Sequence, residues 1–584
     1  MTVKMKVKKA KRKVLTPQEK EQNQQLKEIR SLLRNIGFIK FPKVDGKEFV
    51  YNGRTSELDD MFYYENVILI MEYTIGDPSV HLLKKNYIYE KINNNPIAFV
   101  DFLLNHDKFT SLAEVFKTNI LSKYTKSQLQ VRIVYASKQK IDEEHKNLVP
   151  NVFFFDYAVV KYFEAIAKVI KRSTRFEFFH FLNINLEKVG DNILRSSLTP
   201  AERFVGHILP ESHSSFKPGY KVVTFYMDAN SLLQRAYVLR NDSWRDYDSV
   251  ELYQRLLIPK KIREMRKYLH ENNSVFVNNI IATLPVKDVK LYNESGTPLS
   301  LDASGMFTNS SETKVQPTKI EINNQANIIG IIDGQHRTYA YHEGDDTYEA
   351  SIARLRKIQN LLVTGILCPE QDSRESKLRF EAKLFLEINA NQSGASSSLK
   401  QTIENILNPY STTAIAKYVI NRLNELSPML DKFERHWYEK DKIKTASIIS
   451  FGLKPLIKLS GNDSLFSLWS HPNKIQLSEK KENDALLQEY KEFCVTQVRA
   501  ILCGLAANVP KEDWSMSKRG STAILNVTTI NGVINCLRLL IQEGKTLDVD
   551  GYIQQFKSIS SFNFKTYKSS QYNRLGKDLY EHCF

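Results

Sequence analysis

The stretch IIGIIDGQHRTYAY, residues 328–341, decides the fold of the middle of this 584-residue chain. A run of β-branched residues ends abruptly at Asp333-Gly334 and is followed by residues at helical spacing, which predicts a strand, a tight turn and a helix. Gly334 lets a ligand approach the backbone without a Cβ in the way, and the free N–H groups that begin a helix favour anions. The stretch therefore predicts a phosphate site, although the same pattern is also typical of an ordinary strand–helix junction.

The polar side chains of this turn have separate predicted roles. Arg337 can grip phosphate oxygens with two N–H groups, and Asp333 can hold either a magnesium ion or the turn itself. His336 can orient a phosphate or a water molecule. Gln335 completes the set of predicted phosphate-binding residues at the turn.

The string Asp-Gly-Gln-His-Arg resembles the signature of the DGQHR-domain proteins, a group that includes the DndB-type proteins of DNA phosphorothioation systems. The fold of these proteins is similar to that of ParB and sulfiredoxin. Gly334, Arg337 and Ala340 match the glycine, the arginine and the small residue at the corresponding turn of that superfamily. The resemblance implies a site for ATP or another nucleoside triphosphate in a protein that acts on DNA.

Two further stretches support this resemblance, which covers roughly residues 200–400. A basic amphipathic helix is predicted over residues 260–269 and is followed by a strand, the order in which a ParB-like domain starts. A later predicted helix, residues 378–388, leads into Asn389 and Gln392, which match the second motif of the family. The resemblance implies that both residues contribute to the nucleotide site.

A second group of acidic residues lies near the N-terminus, where short predicted strands follow a helix with Thr16 as its N-cap. Glu57 and Asp59 are two residues apart and so share one face of a predicted strand, and Glu72 closes the apolar strand that follows. If these strands are hairpin neighbours, Asp59 and Glu72 converge on one divalent cation, which prefers oxygen ligands and can activate water for attack on a phosphodiester. The predicted metal is Mg2+ or Mn2+, with Glu57 as a further candidate ligand.

This arrangement resembles the PD-(D/E)XK nuclease fold, in which an acid, and then an acid-x-Lys at the end of the next strand, hold the metal and the water. Asp59 and Glu72 match the two acids, whereas Thr74 stands where the lysine is expected. In that fold family the lysine can be relocated. The candidates for a relocated lysine are Lys84, Lys85 and Lys138. Three alternatives stay open: an active metal nuclease site, a degenerate site that only binds DNA, and ordinary strand carboxylates.

Composition and charge limit the classes of partner. Hydrophobic residues make up 42% and charged residues 25% of the chain, as in ordinary globular proteins, but the net charge is +16. A basic balance of this size favours polyanions, nucleic acid first and acidic membrane surfaces second. No apolar run approaches the ~18 residues that span a bilayer, and the five cysteines form no CxxC pair. We therefore expect a soluble, cytoplasmic protein without a membrane partner.

The predicted organisation is an α/β multidomain protein. Residues 1–14 are predicted to be a disordered basic arm. Residues 15–195 are predicted to form a restriction-endonuclease-like α/β domain of the PD-(D/E)XK type with a connecting helix. Residues 196–400 are expected to form the DGQHR domain, a ParB/sulfiredoxin-like α+β fold. Residues 401–584 are predicted to be mainly helical and contain no functional motif.

Three functions are compatible with these features. The first is a DNA-acting enzyme of a bacterial DNA-modification or phage-defence system, in which the N-terminal domain cuts DNA and the DGQHR domain binds, and can also hydrolyse, a nucleotide. The second is a regulator that binds DNA without cutting it and uses the nucleotide as a switch. The third is a scaffold with two inactive sites. The family resemblance implies other proteins of the same system as partners, and the sequence leaves open whether the chain forms a homo-oligomer.

Overall fold

The computed structural model describes residues 16–139, 141–149, 151–193, 203–209, 211–214, 216–238, 257–309, 314–370, 374–389, 408–435, 439, 441–479, 482–516, 522–568 and 570–584. They fall into two compact units, one within residues 1–246 and 256–373 and the other within 247–255 and 374–584. The predicted basic arm and Gln392 lie outside the described residues. The architecture is mixed α/β in more than one compact unit, as the sequence predicts.

Helix α1, Pro17–Asn35, opens the first unit at a capping box. The hydroxyl of Thr16 accepts a hydrogen bond of 3.1 Å from the N–H of Glu19, and the Glu19 carboxylate accepts one of 2.8 Å from the N–H of Thr16. These reciprocal bonds satisfy N–H groups that the first turn of a helix leaves without partners. The predicted N-cap at Thr16 is confirmed.

Two sheets follow α1. Their strands are β1 (Ile39–Lys40), β2 (Lys47–Tyr51), β3 (Arg54–Leu58), β4 (Asp60–Tyr64), β5 (Val67–Thr74), β6 (Gln130–Ser137) and β7 (Val152–Asp156). Five of them form one sheet in the order β1-β4-β5-β6-β7, and β2 with β3 forms a separate two-stranded sheet. β1, β4 and β5 are antiparallel neighbours, whereas β5, β6 and β7 run parallel.

Helices provide the crossovers that parallel strands require. Between β5 and β6 lie α2 (Pro78–Asn94), α3 (Pro96–Asn105) and α4 (Thr110–Phe116). The remaining helices of this part are α5 (Glu143–Asn147), α6 (Tyr157–Ile170) and α7 (Thr174–Phe181). Seven of the eight residues of β5 are buried, so this strand forms the centre of the sheet.

Arg175 on α7 joins this part of the unit to the part that contains the DGQHR sequence. Its Nη1 donates to the carbonyl of Ile36 at 3.0 Å, and its Nη2 lies 3.0 Å from a carboxylate oxygen of Glu343. The backbone N–H of Arg172 also donates to the carbonyl of Glu343, at 3.1 Å. The two parts are therefore held together by ionic and backbone contacts.

A nine-stranded mixed sheet forms the rest of the first unit. Its strands are β8 (Arg203–Leu209), β9 (Lys221–Asp228), β10 (Ala236–Val238), β11 (Ile280–Pro285), β12 (Val289–Tyr292), β13 (Pro298–Leu299), β14 (Gln316–Ile322), β15 (Ile329–Asp333) and β16 (Asn360–Cys368). Their order is β10-β15-β11-β16-β9-β8-β14-β12-β13. β15 pairs in parallel with β10 and antiparallel with β11, so the strand that leads into the turn is flanked on both edges.

The helices of this part include those that the sequence predicts. The helices described in this part are Glu211–Ser214, Ala229–Arg235, Pro259–Asn272, Gln335–Tyr339 and Glu349–Ile358. The predicted strand, turn and helix of residues 328–341 are confirmed as β15, Gly334 and a five-residue helix. The predicted basic amphipathic helix is confirmed as Pro259–Asn272, and β11 follows it.

The second unit is mainly helical among its described residues, as the sequence predicts. Its helices are Arg374–Asn389, Thr412–Leu423, Lys454–Ile457, Leu465–Leu468, Ile475–Ser478, Asp484–Ala507, Val527–Gln542, Val549–Gln555 and Tyr572–Cys583. Trp469 and Trp514 are buried in the core of this unit. Within the described part of the chain, no helix is long and apolar enough to cross a bilayer.

Candidate functional site

The carboxylates of Asp59 and Glu72 lie at the same end of the β4–β5 hairpin. The last pair in the register of these strands is Asp60 with Met71, and Asp59 and Glu72 are the next residues beyond it. The Asp59 carboxylate accepts a hydrogen bond of 2.8 Å from the backbone N–H of Tyr73. The structure therefore brings together the two acids that the sequence predicts as metal ligands.

Glu72 is almost completely buried, with 1% of its surface exposed. Its Oε2 lies 2.9 Å from Nζ of Lys85 on α2. Burial raises the pKa of Glu72 to about 8; the Lys85 ammonium opposes this shift, and the charge of Asp59 adds to it. Burial and then the Glu72 charge raise the pKa of the Tyr89 hydroxyl well above its ordinary value. Glu72 is thus a buried acid that its partner compensates incompletely, a costly state that a bound cation would relieve.

Of the three candidate lysines, the structure brings only Lys85 to Glu72. The Nζ of Lys85 also donates to the carbonyl of Glu57 at 2.9 Å. Lys84 is exposed on the same helix. The Nζ of Lys138 lies 3.7 Å from a carboxylate oxygen of Glu28 on α1 instead. We call Asp59, Glu72 and Lys85 the acid–lysine site.

Glu57 and Asp59 do not share one strand face, because the chain changes sheets between them. The sequence predicts one extended segment here, but β3 ends at Leu58 in the two-stranded sheet and β4 begins at Asp60 in the five-stranded sheet. Asp59 occupies the bend between these strands, where its carboxylate receives the Tyr73 N–H. The Glu57 side chain is exposed. Glu57 contributes its backbone carbonyl, which accepts from Lys85. Burial raises the pKa of Asp59, and the charge of Glu57 adds to this shift.

The donor set of the acid–lysine site fits a divalent cation that takes two carboxylates from the protein, and in the described part of the chain it does not form a larger ligand cage. Carboxylate oxygens are the ligands that Mg2+ prefers, and both carboxylate oxygens of Glu72 are buried without a hydrogen-bond partner, the Lys85 ion pair apart. Among the described residues, however, no group of three or more His, Cys, Asp or Glu side chains is placed to hold a metal. Mg2+ usually keeps several waters and takes one or two carboxylates from the protein, so Asp59 and Glu72 are sufficient for that mode.

Two polar groups near the acids are absent from the sequence prediction. Asp60 is fully buried, accepts from Nε of Arg30 at 2.6 Å and from the hydroxyl of Tyr73 at 3.1 Å, and so anchors the hairpin to α1. His81, on the first turn of α2, has its Nδ1 3.0 Å from the hydroxyl of Tyr135, and burial lowers its pKa to about 4. The adjacent acids at residues 59 and 60 were the available signal for Asp60.

The DGQHR turn, residues 333–337, has the predicted backbone. Gly334 has φ +94°, a backbone conformation that favours glycine, and a Cβ there would also displace Cδ1 of Ile280, which lies 2.5 Å away. The Nη2 of Arg337 lies 3.0 Å from Oδ2 of Asp333 and donates to the carbonyl of Asn279 at 2.8 Å. The arginine predicted to grip phosphate is thus paired with the carboxylate predicted to hold magnesium.

The other two side chains of the turn face inward. The Nε2 of His336 accepts a hydrogen bond of 3.0 Å from the N–H of Ile258. Burial, followed by the charges of Lys261 and Arg337, lowers the pKa of His336 to about 4, so the ring is neutral at pH 7. Gln335 is 7% exposed, and its Oε1 is buried without a hydrogen-bond partner.

The second motif of the resemblance lies in the other compact unit. Asn389 ends the helix Arg374–Asn389, and neither its side chain nor Gln392 belongs to the described part of the structure. Their predicted contribution to the nucleotide site stays a prediction.

A buried charge network contacts the backbone that follows the DGQHR turn. Arg266, 1% exposed, lies 2.7 Å from Asp346 and 2.9 Å from Glu349. Its Nη1 donates to the carbonyls of Ala340 and His342 at 3.0 and 2.8 Å. The sequence contained a signal for this role, because residues 262, 266 and 269 of the basic helix share its buried face.

A cleft of about 610 Å³ has Glu57 in its wall, the residue whose carbonyl accepts from Lys85 of the acid–lysine site. Its charged lining consists of Lys43, Lys47, Lys108, Glu48, Glu57 and Asp107. Three lysines and three acids line this cleft, so its formal charges balance.

No protein-family model, no curated protein and no solved structure matches this chain.

Proposed function

We propose that this chain is a DNA-acting protein whose N-terminal part cleaves phosphodiester bonds with the help of Mg2+ or Mn2+. The observation that carries the proposal is the convergence of Asp59, Glu72 and Lys85 from a bend, a central strand and the following helix. Paired carboxylates beside a lysine are the groups that metal-dependent phosphodiester hydrolysis uses.

The order of elements supports the same proposal. From α1 to β6 the chain forms a helix, three antiparallel strands of the five-stranded sheet with the β2–β3 hairpin inserted after the first, crossover helices and a parallel strand. This order is similar to that of the PD-(D/E)XK nucleases, whose lysine position holds Thr74 here. Lys85, one element further along the chain, supplies the ammonium in its place.

The residues of the site divide the work. Asp59 and Glu72 would hold the metal, which supplies Lewis-acid activation of water and of the phosphate when bound. Lys85 keeps a positive charge next to these acids and would stabilise the charge that develops on the phosphate. The carbonyl of Glu57 fixes the position of the Lys85 ammonium.

The test is plasmid cleavage by the full chain with Mg2+ or Mn2+, with and without ATP or CTP. We expect supercoiled plasmid to be nicked, Glu72→Ala to abolish nicking, and Lys85→Ala to slow it by about 100-fold or more. Lys84→Ala is the matched control, because it removes an equal charge from the same helix, and it should leave the rate unchanged. Equal effects of the two lysine substitutions would contradict the proposed role of Lys85.

A second candidate is the regulator that binds DNA without cutting it. Two observations favour it: the lack of a three-carboxylate group in the described structure and the internal pairing of Arg337 with Asp333. In this function a nucleoside triphosphate opens the Asp333–Arg337 pair and switches DNA binding. DNA binding that responds to ATP or CTP, is lost in Arg337→Ala and is never followed by cleavage would support the regulator.

The setting of a bacterial DNA-modification or phage-defence system belongs to the same proposal. It follows from the resemblance of the DGQHR string, which the turn geometry accommodates. Other proteins of such a system would be its partners.

A further inference from the structure

A groove of about 600 Å³ runs between the helix Pro259–Asn272 and the loop that follows it. The helix contributes Lys261, Glu264, Met265 and Tyr268, and the loop contributes residues 275–278. We call it the helix–loop groove. It ends next to the DGQHR turn, because Arg337 donates to the carbonyl of Asn279, the residue after the loop.

An aromatic pair forms one wall of the groove. The rings of Tyr268 and Phe276 are stacked, with centroids 5.7 Å apart and an interplanar angle of 20°. Phe276 in turn meets the buried ring of Tyr341 edge-on at 6.0 Å, which fixes it in place. Tyr268 remains 42% exposed and Val277 88% exposed. A rigid aromatic surface is therefore open to solvent beside an apolar residue.

Lysines outnumber acids on the groove side of the helix. Lys261 lines the groove beside Glu264, and Lys260 and Lys267 are exposed on the adjoining stripe of the same helix. The acids on this face are Glu264 and Glu271. The Oε1 of Glu264 lies 3.9 Å from Nζ of Lys260, and the Oε1 of Glu271 lies 3.6 Å from Nζ of Lys267. Exposed pairs of this kind contribute little, so the cations stay available to an anionic partner.

We propose that the helix–loop groove binds single-stranded DNA, with a base stacked on Tyr268 and the adjacent phosphates on Lys260, Lys261 and Lys267. Stacking on aromatic rings beside a positive groove is how proteins hold single strands with little sequence preference. A duplex keeps its base faces covered, so it cannot use the ring of Tyr268. The inference rests on the proposed function only in taking DNA as the partner, because it concerns binding and a different part of the unit.

The test is fluorescence anisotropy of a labelled 20-nucleotide oligothymidylate titrated with the full chain in EDTA. Without a divalent cation no cleavage takes place, so this result stands apart from the plasmid assay. We expect Tyr268→Ala to weaken binding by about 5- to 150-fold, the range of one lost base–aromatic stack. Lys261→Gln should lower the slope of log Kd against log salt by about 0.7, the value of one released counterion.

Matched variants separate stacking from other effects. Tyr268→Phe keeps the ring and should bind as the natural chain does, and Tyr226→Ala removes another exposed tyrosine, 60% exposed on β9, and should change nothing. Circular dichroism of each variant verifies that it folds. The proposal is overturned if Tyr226→Ala and Tyr268→Ala weaken binding equally. It is also overturned if duplex DNA, free thymidine triphosphate or an acidic peptide proves to be the occupant whose binding Tyr268→Ala removes.

Discussion

The acid–lysine site and the DGQHR turn each place a carboxylate beside a basic side chain, but the two pairs differ in how well their charges are satisfied. At the turn, Asp333 and Arg337 are 21% and 18% exposed, and Arg337 has an additional bond to a backbone carbonyl. At the acid–lysine site, Glu72 is 1% exposed, and its pKa is raised to about 8 although Lys85 lies 2.9 Å away. At the acid–lysine site, the effect of burial on the pKa of Glu72 outweighs the effect of its ion pair with Lys85.

This difference teaches that a charged motif is available to a ligand where the fold leaves a charge uncompensated. The acid–lysine site gains when a cation enters, because Glu72 is already desolvated without a full set of partners. At the DGQHR turn, Asp333 and the carbonyl of Asn279 already engage Nη2 of Arg337, so a phosphate can use this nitrogen only after the pair opens, although Nε of Arg337 is buried without a hydrogen-bond partner. We therefore expect metal binding at the first site to need less rearrangement than phosphate binding at the second.

The largest effect is expected from a substitution that disrupts the buried charge network of Arg266, Asp346 and Glu349. Arg266→Ala should lower the free energy of unfolding by about 3–5 kcal/mol, because it leaves the partly buried carboxylate of Asp346 without its arginine and Glu349 with Arg356 alone, and it empties a fully buried site. Arg263→Ala, on the exposed face of the same helix, should change it by about 0.5 kcal/mol or less. Urea denaturation of both variants measures the difference, and similar values for both would show that the network does not stabilise the turn.

The next effect tests the open site directly. Glu72→Gln should raise the free energy of unfolding by about 1–3 kcal/mol at pH 7, because burial raises the pKa of Glu72 to about 8, so folding at pH 7 requires this carboxyl to take up a proton or to carry a buried charge, and the amide of the same shape does neither. Lys85 keeps its bond to the carbonyl of Glu57 in this variant. Thermal unfolding in EDTA measures the change. If the variant is less stable than the natural chain, Glu72 is a well-satisfied acid and the comparison fails.

A pH titration tests the closed network through His342. Burial first, and then the charge of Arg266, lowers the pKa of His342 to about 3, whereas an unfolded histidine titrates near 6.5. Between about pH 6.5 and pH 3 this histidine is protonated in the unfolded chain but not in the folded chain. The free energy of unfolding therefore falls as the pH drops through this range. At pH 5 the loss is about 2 kcal/mol from this residue.

The measurement is urea denaturation from pH 7 to pH 4 of the natural chain and of His342→Gln. The charged groups that face His342 include Arg266, Arg356 and Asp346. Since both proteins keep these groups, the difference between their pH slopes isolates the histidine. Parallel slopes would mean that His342 titrates normally in the folded chain.

The smallest effect sharpens the description of the turn. A double-mutant cycle of Asp333→Asn and Arg337→Ala should give a coupling energy of about 1 kcal/mol, as expected for a partly exposed pair within one turn of helix. Thermal unfolding supplies the four stabilities. Addition of ATP or CTP should shrink this coupling if a nucleotide opens the pair, and a coupling of zero in both conditions would mean that the pair is not formed in solution.

Part of the site could be predicted because the signal is local. Hairpin adjacency of two strands joined by a short turn predicts that Asp59 and Glu72 meet. The helical periodicity of α2 also distinguishes Lys85 from Lys84. Leu82, Tyr89 and Ile92 are buried, and residue 85 lies on the same face of the helix. The change of sheet at Asp59 had no such signal, because neither glycine nor proline marks the bend between β3 and β4.

The sequence by itself determined the local elements: the capping box at Thr16, the strand, glycine and helix of the DGQHR turn, and the basic helix. These depend on spacing, on the φ of one glycine and on hydrogen bonds between near neighbours, which a linear sequence displays. The tertiary structure alone decided which charged side chains have ionic partners and which are buried without full compensation. Arg175 finds Glu343 across 168 positions and Arg266 finds Asp346 across 80. Desolvation and Coulomb energy depend on distances and burial in three dimensions, so the same Asp, Glu, Lys and Arg residues acquire opposite properties at the two sites.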